Sequence, residues 1–430
     1  MCLKGRLRKN LPFFNNRIMW KKPWKLNEGF LIGAGLIVCG LLLQFSVGPI
    51  EWKAFSYPVN LLMAVLIVLG ILLAYTLRSK SYAIRFMGSY AAAIPALAYA
   101  VILTAIMGLT RQVADGQEAV DFLGITHMLS FWPFVLIYVY IAVILGLVIL
   151  QHLTHFKWKR DIPFLLNHLG LFIVLLSATL GNADMQRLTM TVTKEQPEWR
   201  AIDNQGYVKE LPIAIQLNDF TIDEYPPKLL LVDNTTGQAL PVGNPMTVVA
   251  DSAEADAEGY IGTLDEWRVK LLESIDMAAP QLSEDSTTYV SWEQSGATSA
   301  VRVSLTSTKT GREVEGWVTC GSYRFPYQLL PVTNLVSLAM AEREPQRYTS
   351  NVEVLTVSGE HYQTDIQVNK PFEVEGWKVY QLNYDIERGR WSEISVLELV
   401  RDPWLPVVYT GIIMMLLGAV CMFVLAQRKK

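Results

Sequence analysis

Histidine is scarce in this chain, with five among 430 residues, and cysteine is scarcer, with four. No CxxCH occurs, so the chain is not itself a cytochrome carrying covalently attached haem. HExxH, GxSxG and a Cys/His cluster at zinc spacing are also missing, which removes the familiar metalloprotease, hydrolase and zinc-finger readings. Cys39 and Cys421 fall inside long apolar runs, and Cys2 follows Met1 with no apolar leader before it, so a lipoprotein cysteine is not expected. Cys320 is the one cysteine in the polar stretch 182–403, has no disulfide partner there, and is expected to be a small buried apolar residue.

Charge is missing too, over long stretches. The composition is 51% hydrophobic and the mean hydropathy is +0.25, an apolar balance that favours a membrane protein. A helix crossing the hydrocarbon needs about 20 apolar residues. Six runs reach that length, at 29–47, 58–77, 88–109, 130–151, 162–181 and 404–426, and the first five contain no Lys, Arg, Asp or Glu. The first reads as a span and not as a cleavable leader, because it is long and a second run follows at once. The expected fold class is a polytopic α-helical membrane protein of six spans with a large β-rich domain.

Lys and Arg orient the spans. Eight precede the first span (Lys4, Arg6, Arg8, Lys9, Arg17, Lys21, Lys22, Lys25), and Arg78, Lys80, Arg85, Lys157, Lys159, Arg160, Arg428, Lys429 and Lys430 fall on the same side. The short loops opposite carry Lys53 and Arg111. This bias implies an inner-membrane protein with both termini cytoplasmic and residues 182–403 outside. The expected organisation is a basic N-terminus at 1–27, a helical hairpin at 28–78, three spans at 79–181, the extracytoplasmic domain at 182–403, and a last span with a basic tail at 404–430.

Within 182–403, Val301–Leu305, Val352–Val357 and Trp377–Tyr384 alternate apolar and polar residues as half-buried strands do. Asp233-Asn234, Thr310-Gly311, Ser358-Gly359 and Asn369-Lys370-Pro371 punctuate them as turns. A sandwich or irregular barrel is expected. Leu330–Arg343 is its best helix candidate, with Pro331 in the first turn, and 249–288 reads as a surface excursion. The domain holds 18 Lys and Arg against 34 Asp and Glu, an acidic surface that keeps it soluble or suits a basic partner. No nucleic-acid partner is expected. His361, after the turn SGEHY, reads as an exposed turn residue.

Ionisable residues inside spans are costly and by default mark function. His168, in FLLNHLG, is the one that stands out. It lies seven residues past Asp161, roughly 10 Å along a helix at 1.5 Å per residue. A neutral imidazole there can ligate iron, relay a proton or hydrogen-bond to a neighbouring helix. Asn167 and Gly170 beside it could serve close helix packing. His127, just outside the fourth span, lies at the depth an external site near the membrane would need. His152 and His155 fall at a basic loop and read as solvated interface residues.

Several segments resemble the ResB family, also called CcsB, of System II cytochrome c biogenesis. They are LLNHLGLFIVLLSATLGNAD, LPIAIQLNDFTIDEYPP, and the long collinear stretch from YTSNVEVLTVSGEHYQTDIQVNKPFEVEGWKVYQLNYD through WSEISVLELVRDPWLPVVYTGIIMMLLG. The family pattern has four spans with the large domain between the third and fourth, so the hairpin at 28–78 is an addition that could pack against a partner's helices. The resemblance implies a CcsA-type partner carrying a tryptophan-rich WWD segment. This chain has twelve tryptophans, scattered, and no WxWD cluster, so it resembles the ResB half alone, requiring CcsA in trans. The pair would carry haem across the membrane and support its attachment to CxxCH motifs of apocytochrome c, with this chain a non-catalytic subunit of the haem lyase. The family's intramembrane histidine, implicated as a haem ligand, maps onto His168, and the second ligand would come from the partner. Haem is thus the expected transient cofactor, with the CcsA-type protein, apocytochrome c and membrane lipid as partners. The alternative is an assembly module that stabilises CcsA without touching haem.

Overall fold

The protein is described by a computed structural model covering residues 20–113, 119–283 and 286–427. Cys2, the basic residues from Lys4 to Arg17 and those from Arg428 to Lys430 lie outside the described residues. The chain divides into two compact units, Met1–Gln186 with Asp402–Lys430, and Arg187–Arg401.

The first unit is helical. Its helices are α1 (Leu26–Val47), α2 (Val59–Leu77), the short α3 (Tyr82–Met87), α4 (Tyr90–Leu109), α5 (Trp132–Thr154), α6 (Trp158–Gly181) and α7 (Leu405–Gln427). Six of them are long and apolar enough to cross a membrane, where a helix satisfies its own backbone without water. α5 is the hub, packing against α1, α2, α4 and α6. Half of its apolar window is buried, against 11% for α1, α2 and α7, which leave most of theirs facing outward.

The hairpin of α1 and α2, left without a role by the family pattern, packs on the chain's own helices. A Cβ at Gly40 of α1 would lie 2.5 Å from the Pro133 nitrogen at the start of α5, so only glycine allows that approach. α2 is fastened to the end of α6 by a polar knot. Asn60, fully buried, donates through Nδ2 to the Leu180 carbonyl at 3.1 Å and to Asp184 Oδ2 at 2.7 Å. Asp184 also accepts from the Tyr57 backbone N–H at 2.6 Å and from Trp404 Nε1 at 2.7 Å.

The second unit is built from antiparallel strands. An eight-stranded sheet runs β15-β14-β3-β2-β1-β18-β17-β16, with β1 Gln186–Thr193, β2 Pro197–Asp203, β3 Val208–Glu224, β14 Pro345–Thr356, β15 His361–Gln367, β16 Phe372–Val374, β17 Trp377–Tyr384 and β18 Ile394–Arg401. Its edge strands β15 and β16 meet through the Tyr362 and Phe372 rings, 5.6 Å apart, so the sheet curls toward closure. Alternate residues point inward, among them Ile213, Ile215, Leu217, Val352, Val354, Val379, Leu397 and Leu399, and form one core. Buried Ser350, Gln381 and Ser395 bond to one another inside this sheet, which satisfies polar groups that would otherwise be costly there.

Two smaller sheets share a second core. One holds β7 Tyr260–Leu264, β8 Trp267–Leu282, β9 Thr287–Ser291, β10 Thr298–Ser307 and β11 Glu313–Thr319, and the other holds β4 Lys228–Asp233, β5 Ala239–Leu240, β6 Thr247–Val249, β12 Leu330–Pro331 and β13 Val336–Met340. The helix expected over Leu330–Arg343 is therefore absent: β12 and β13 form a hairpin there. Thr333 Oγ1 accepts from the backbone N–H groups of Leu335 and Val336 and closes its turn, a competition for the backbone that disfavours helix. Val336, Leu338 and Met340 then face the core with period two. Residues 249–288 are not a surface excursion either, since β8 pairs with β10 from Trp267↔Ser307 to Ala278↔Thr298.

The two parts of this unit are joined by an ion cluster. Glu224, 17% exposed, faces Arg343 at 3.3 Å and Arg390 at 3.5 Å, and Arg390 reaches Asp276 at 3.6 Å. Burial pushes the Glu224 carboxyl upward despite both guanidinium groups. Cys320 is half-buried against the second core, and burial raises its thiol above the ordinary range, as suits a packing residue. His361 opens β15, exposed, and pairs with Glu353 on β14.

Candidate functional site

α6 presents two different faces around His168. On one, Gly170 meets the Gly411 carbonyl of α7, and a Cβ at Gly170 would lie 2.6 Å from that oxygen and 2.9 Å from the Met415 nitrogen. Asn167 aims Nδ2 at the Met415 carbonyl, 3.5 Å away. Asn167 and Gly170 thus serve the close packing of α6 on α7, as small and amide residues do between membrane helices.

His168 belongs to another face, turned to α5. Its ring stacks on Phe164, one turn earlier, with centroids 3.7 Å apart and planes 22° from parallel. The opposite side of Phe164 carries the imidazole of His152 from α5, at 3.9 Å and 25°. Three flat rings are therefore layered as His152, Phe164, His168. The stack lies toward the end of α6 that begins at Trp158, where Asp161 is buried and accepts from the Lys157 backbone N–H at 2.7 Å, fixing the short turn between the helices.

Both imidazoles are held in the same tautomer. His168 Nδ1 lies 2.9 Å from the Phe164 carbonyl, and His152 Nδ1 lies 3.0 Å from the Val148 carbonyl. A carbonyl oxygen only accepts, so each Nδ1 carries the proton and, in the neutral ring, each Nε2 carries the lone pair. Metal-ligating histidines are commonly fixed this way, with the other ring nitrogen donating to a carbonyl. Both residues therefore fit axial ligation of an iron porphyrin through Nε2. Among the described residues no group of three or more His, Cys, Asp and Glu could hold a bare metal ion.

His127 is placed elsewhere. It sits half-buried in a 3-10 turn, Ile125–Ser130, with φ −128° and ψ 54°, before α5 begins, whereas His152 is near its end. At 1.5 Å per residue α5 is about 34 Å long, so the structure does not bring His127 to His168. Asp121 shapes the turn, accepting from Ile125 N, Thr126 N and Thr126 Oγ1 at 2.8, 2.7 and 2.6 Å. Its partial burial would raise the carboxyl, but these bonds outweigh that and hold it at about 2. His152, read from the sequence as a solvated interface residue at a basic loop, is instead half-buried in the last turn of α5. Its sequence signal was faint: His152 is four residues after Val148 on an apolar helix, and only the docking of α6 brings Phe164 onto it.

Residues 295–392 match the ResB-like family. The matched segment runs from the turn before β10 through β17 to Ser392, so it covers strands of both parts of the second unit. The ResB-like family is part of cytochrome c biogenesis. No curated protein matches the chain.

Proposed function

We propose that this ResB-like chain is the haem-handling subunit of a System II cytochrome c biogenesis complex in a bacterial cytoplasmic membrane. In this reading His168 binds haem iron through Nε2 as haem crosses the bilayer, and a CcsA-type partner with a WWD segment supplies the opposing ligand. The strand-built unit lies outside and guides apocytochrome c while its CxxCH cysteines take the haem. The bias of Lys and Arg supports a cytoplasmic position for the His152–His168 end of α5 and α6, where newly made haem would arrive.

The observation that carries the reading is His168 Nδ1 lying 2.9 Å from the Phe164 carbonyl, inside an apolar helix, an arrangement that leaves the lone pair of the neutral ring at Nε2. Burying such a group is costly unless it does something, and Asn167 and Gly170 already provide the packing on α7. The test is the haem content of the complex purified with its CcsA-type partner, read from the pyridine haemochrome spectrum. His168→Ala should strip most haem from an intact complex. Unchanged haem in that variant would leave the chain as an assembly module that stabilises its partner.

A further inference from the structure

Phe164 occupies the space between two imidazoles whose iron-binding nitrogens are both prepared. The stacking distances of 3.9 and 3.7 Å put the ring centres of His152 and His168 no more than about 7.6 Å apart. With metal–nitrogen bonds of about 2 Å, two imidazoles on one metal have centres roughly 6 Å apart, so the gap is of the size an iron centre spans. The present ring orientation does not serve that purpose, because the imidazoles show their faces to Phe164 and not their Nε2 edges. Phe164 must leave the slot, and a ring must turn, before iron enters.

The two histidines also differ in depth. His152 is two residues from the end of α5, beside the turn into α6, while His168 lies ten residues into α6. A flat metalloporphyrin arriving at that end of the helices reaches His152 before His168.

We propose that His152 is a loading ligand for haem, which passes to His168 as Phe164 withdraws from between them; this rests on the reading of His168 as a haem ligand. In the transfer one iron–nitrogen bond to His152 Nε2 breaks and one to His168 Nε2 forms. Iron keeps its oxidation state, and each Nδ1 keeps its proton. Phe164, which stacks on either imidazole, keeps the slot dry and closed when no porphyrin is present.

The experiment uses the full chain in lipid nanodiscs, titrated with haemin and followed by Soret absorbance and stopped-flow mixing. Phenylalanine replacements keep the flat stack and remove only the ligand nitrogen. His152→Phe should slow haem loading by roughly 10- to 100-fold, the scale set by disturbing the surroundings of a metal ligand, and added imidazole should restore the rate. His168→Phe should retain a five-coordinate haem that the further change His152→Phe abolishes. Phe164→Leu should speed loading. Wild-type loading in His152→Phe together with no haem in His168→Phe overturns the loading role and leaves His168 as the ligand. Wild-type binding in the doubly substituted chain overturns both.

Discussion

Asp184 accepts a hydrogen bond of 2.7 Å from Asn60, and this contact ties the first helical hairpin to the end of α6. The same carboxylate takes Trp404 Nε1 from the start of α7, so one side chain gathers three helices. The hairpin is therefore fastened to the rest of the helical unit, while α1 and α2 leave most of their apolar surface facing outward.

Asp184→Ala should leave buried Asn60 without its carboxylate and Trp404 without an acceptor. An orphaned buried donor costs about 1–3 kcal/mol. A lower melting temperature of the detergent-solubilised chain, with Asn60→Ala largely non-additive on top of it, is the expected result.

Gly170→Ala should separate α6 from α7. The added methyl meets backbone atoms of Gly411 and Met415, which cannot swing aside, and overpacking of this kind costs about 1–3 kcal/mol. Thermal unfolding measures the loss, and Gly411→Ala should produce a similar one because it faces the same contact.

Leu338→Ala should destabilise the strand-built unit by about 2–5 kcal/mol, the range for a buried leucine in a tight core. Ser337→Pro is expected to be as damaging, since Ser337 lies in β13 between β12 and β4 and proline breaks such a ladder. Hydrogen exchange over residues 330–340 should show slow exchange in the wild type, lost in both variants.

The turn holding His127 should loosen in acid. Asp121 is held at about 2, below the ordinary carboxyl value of 3.8, so its support is fully present above about pH 4 and is lost as pH falls through about 2. Exchange of the Ile125 and Thr126 amides should accelerate across that window after correction for intrinsic rates. Asp121→Asn should show the faster exchange already at neutral pH.

The six spans, the strands at Val301–Leu305 and Trp377–Tyr384, and the polar turns between strands are legible in the sequence because each depends on local periodicity or run length. Leu330–Arg343 was misread for a physical reason. Its apolar residues are dense enough to satisfy helical spacing as well as alternation, and the choice was made by Thr333 closing a turn and by the partner strand β4. The strands within 249–288 were hidden by acidic residues, which occupy outward positions while Leu264, Trp267 and Val269 fill the core.

The site divides in the same way. An ionisable residue in an apolar run is visible in sequence, so His168 could be picked out, and the short distance from Asp161 fixed its depth. Its relation to His152 could not be seen, because the two lie on different helices and meet only through the face of Phe164. By itself the sequence determined which segments must be helices in lipid, since backbone polar groups there have no water to turn to. Only the tertiary structure decided which faces of those helices meet, because that is set by where glycine lets α6 approach α7 and where α5 is left to stack its histidine against α6.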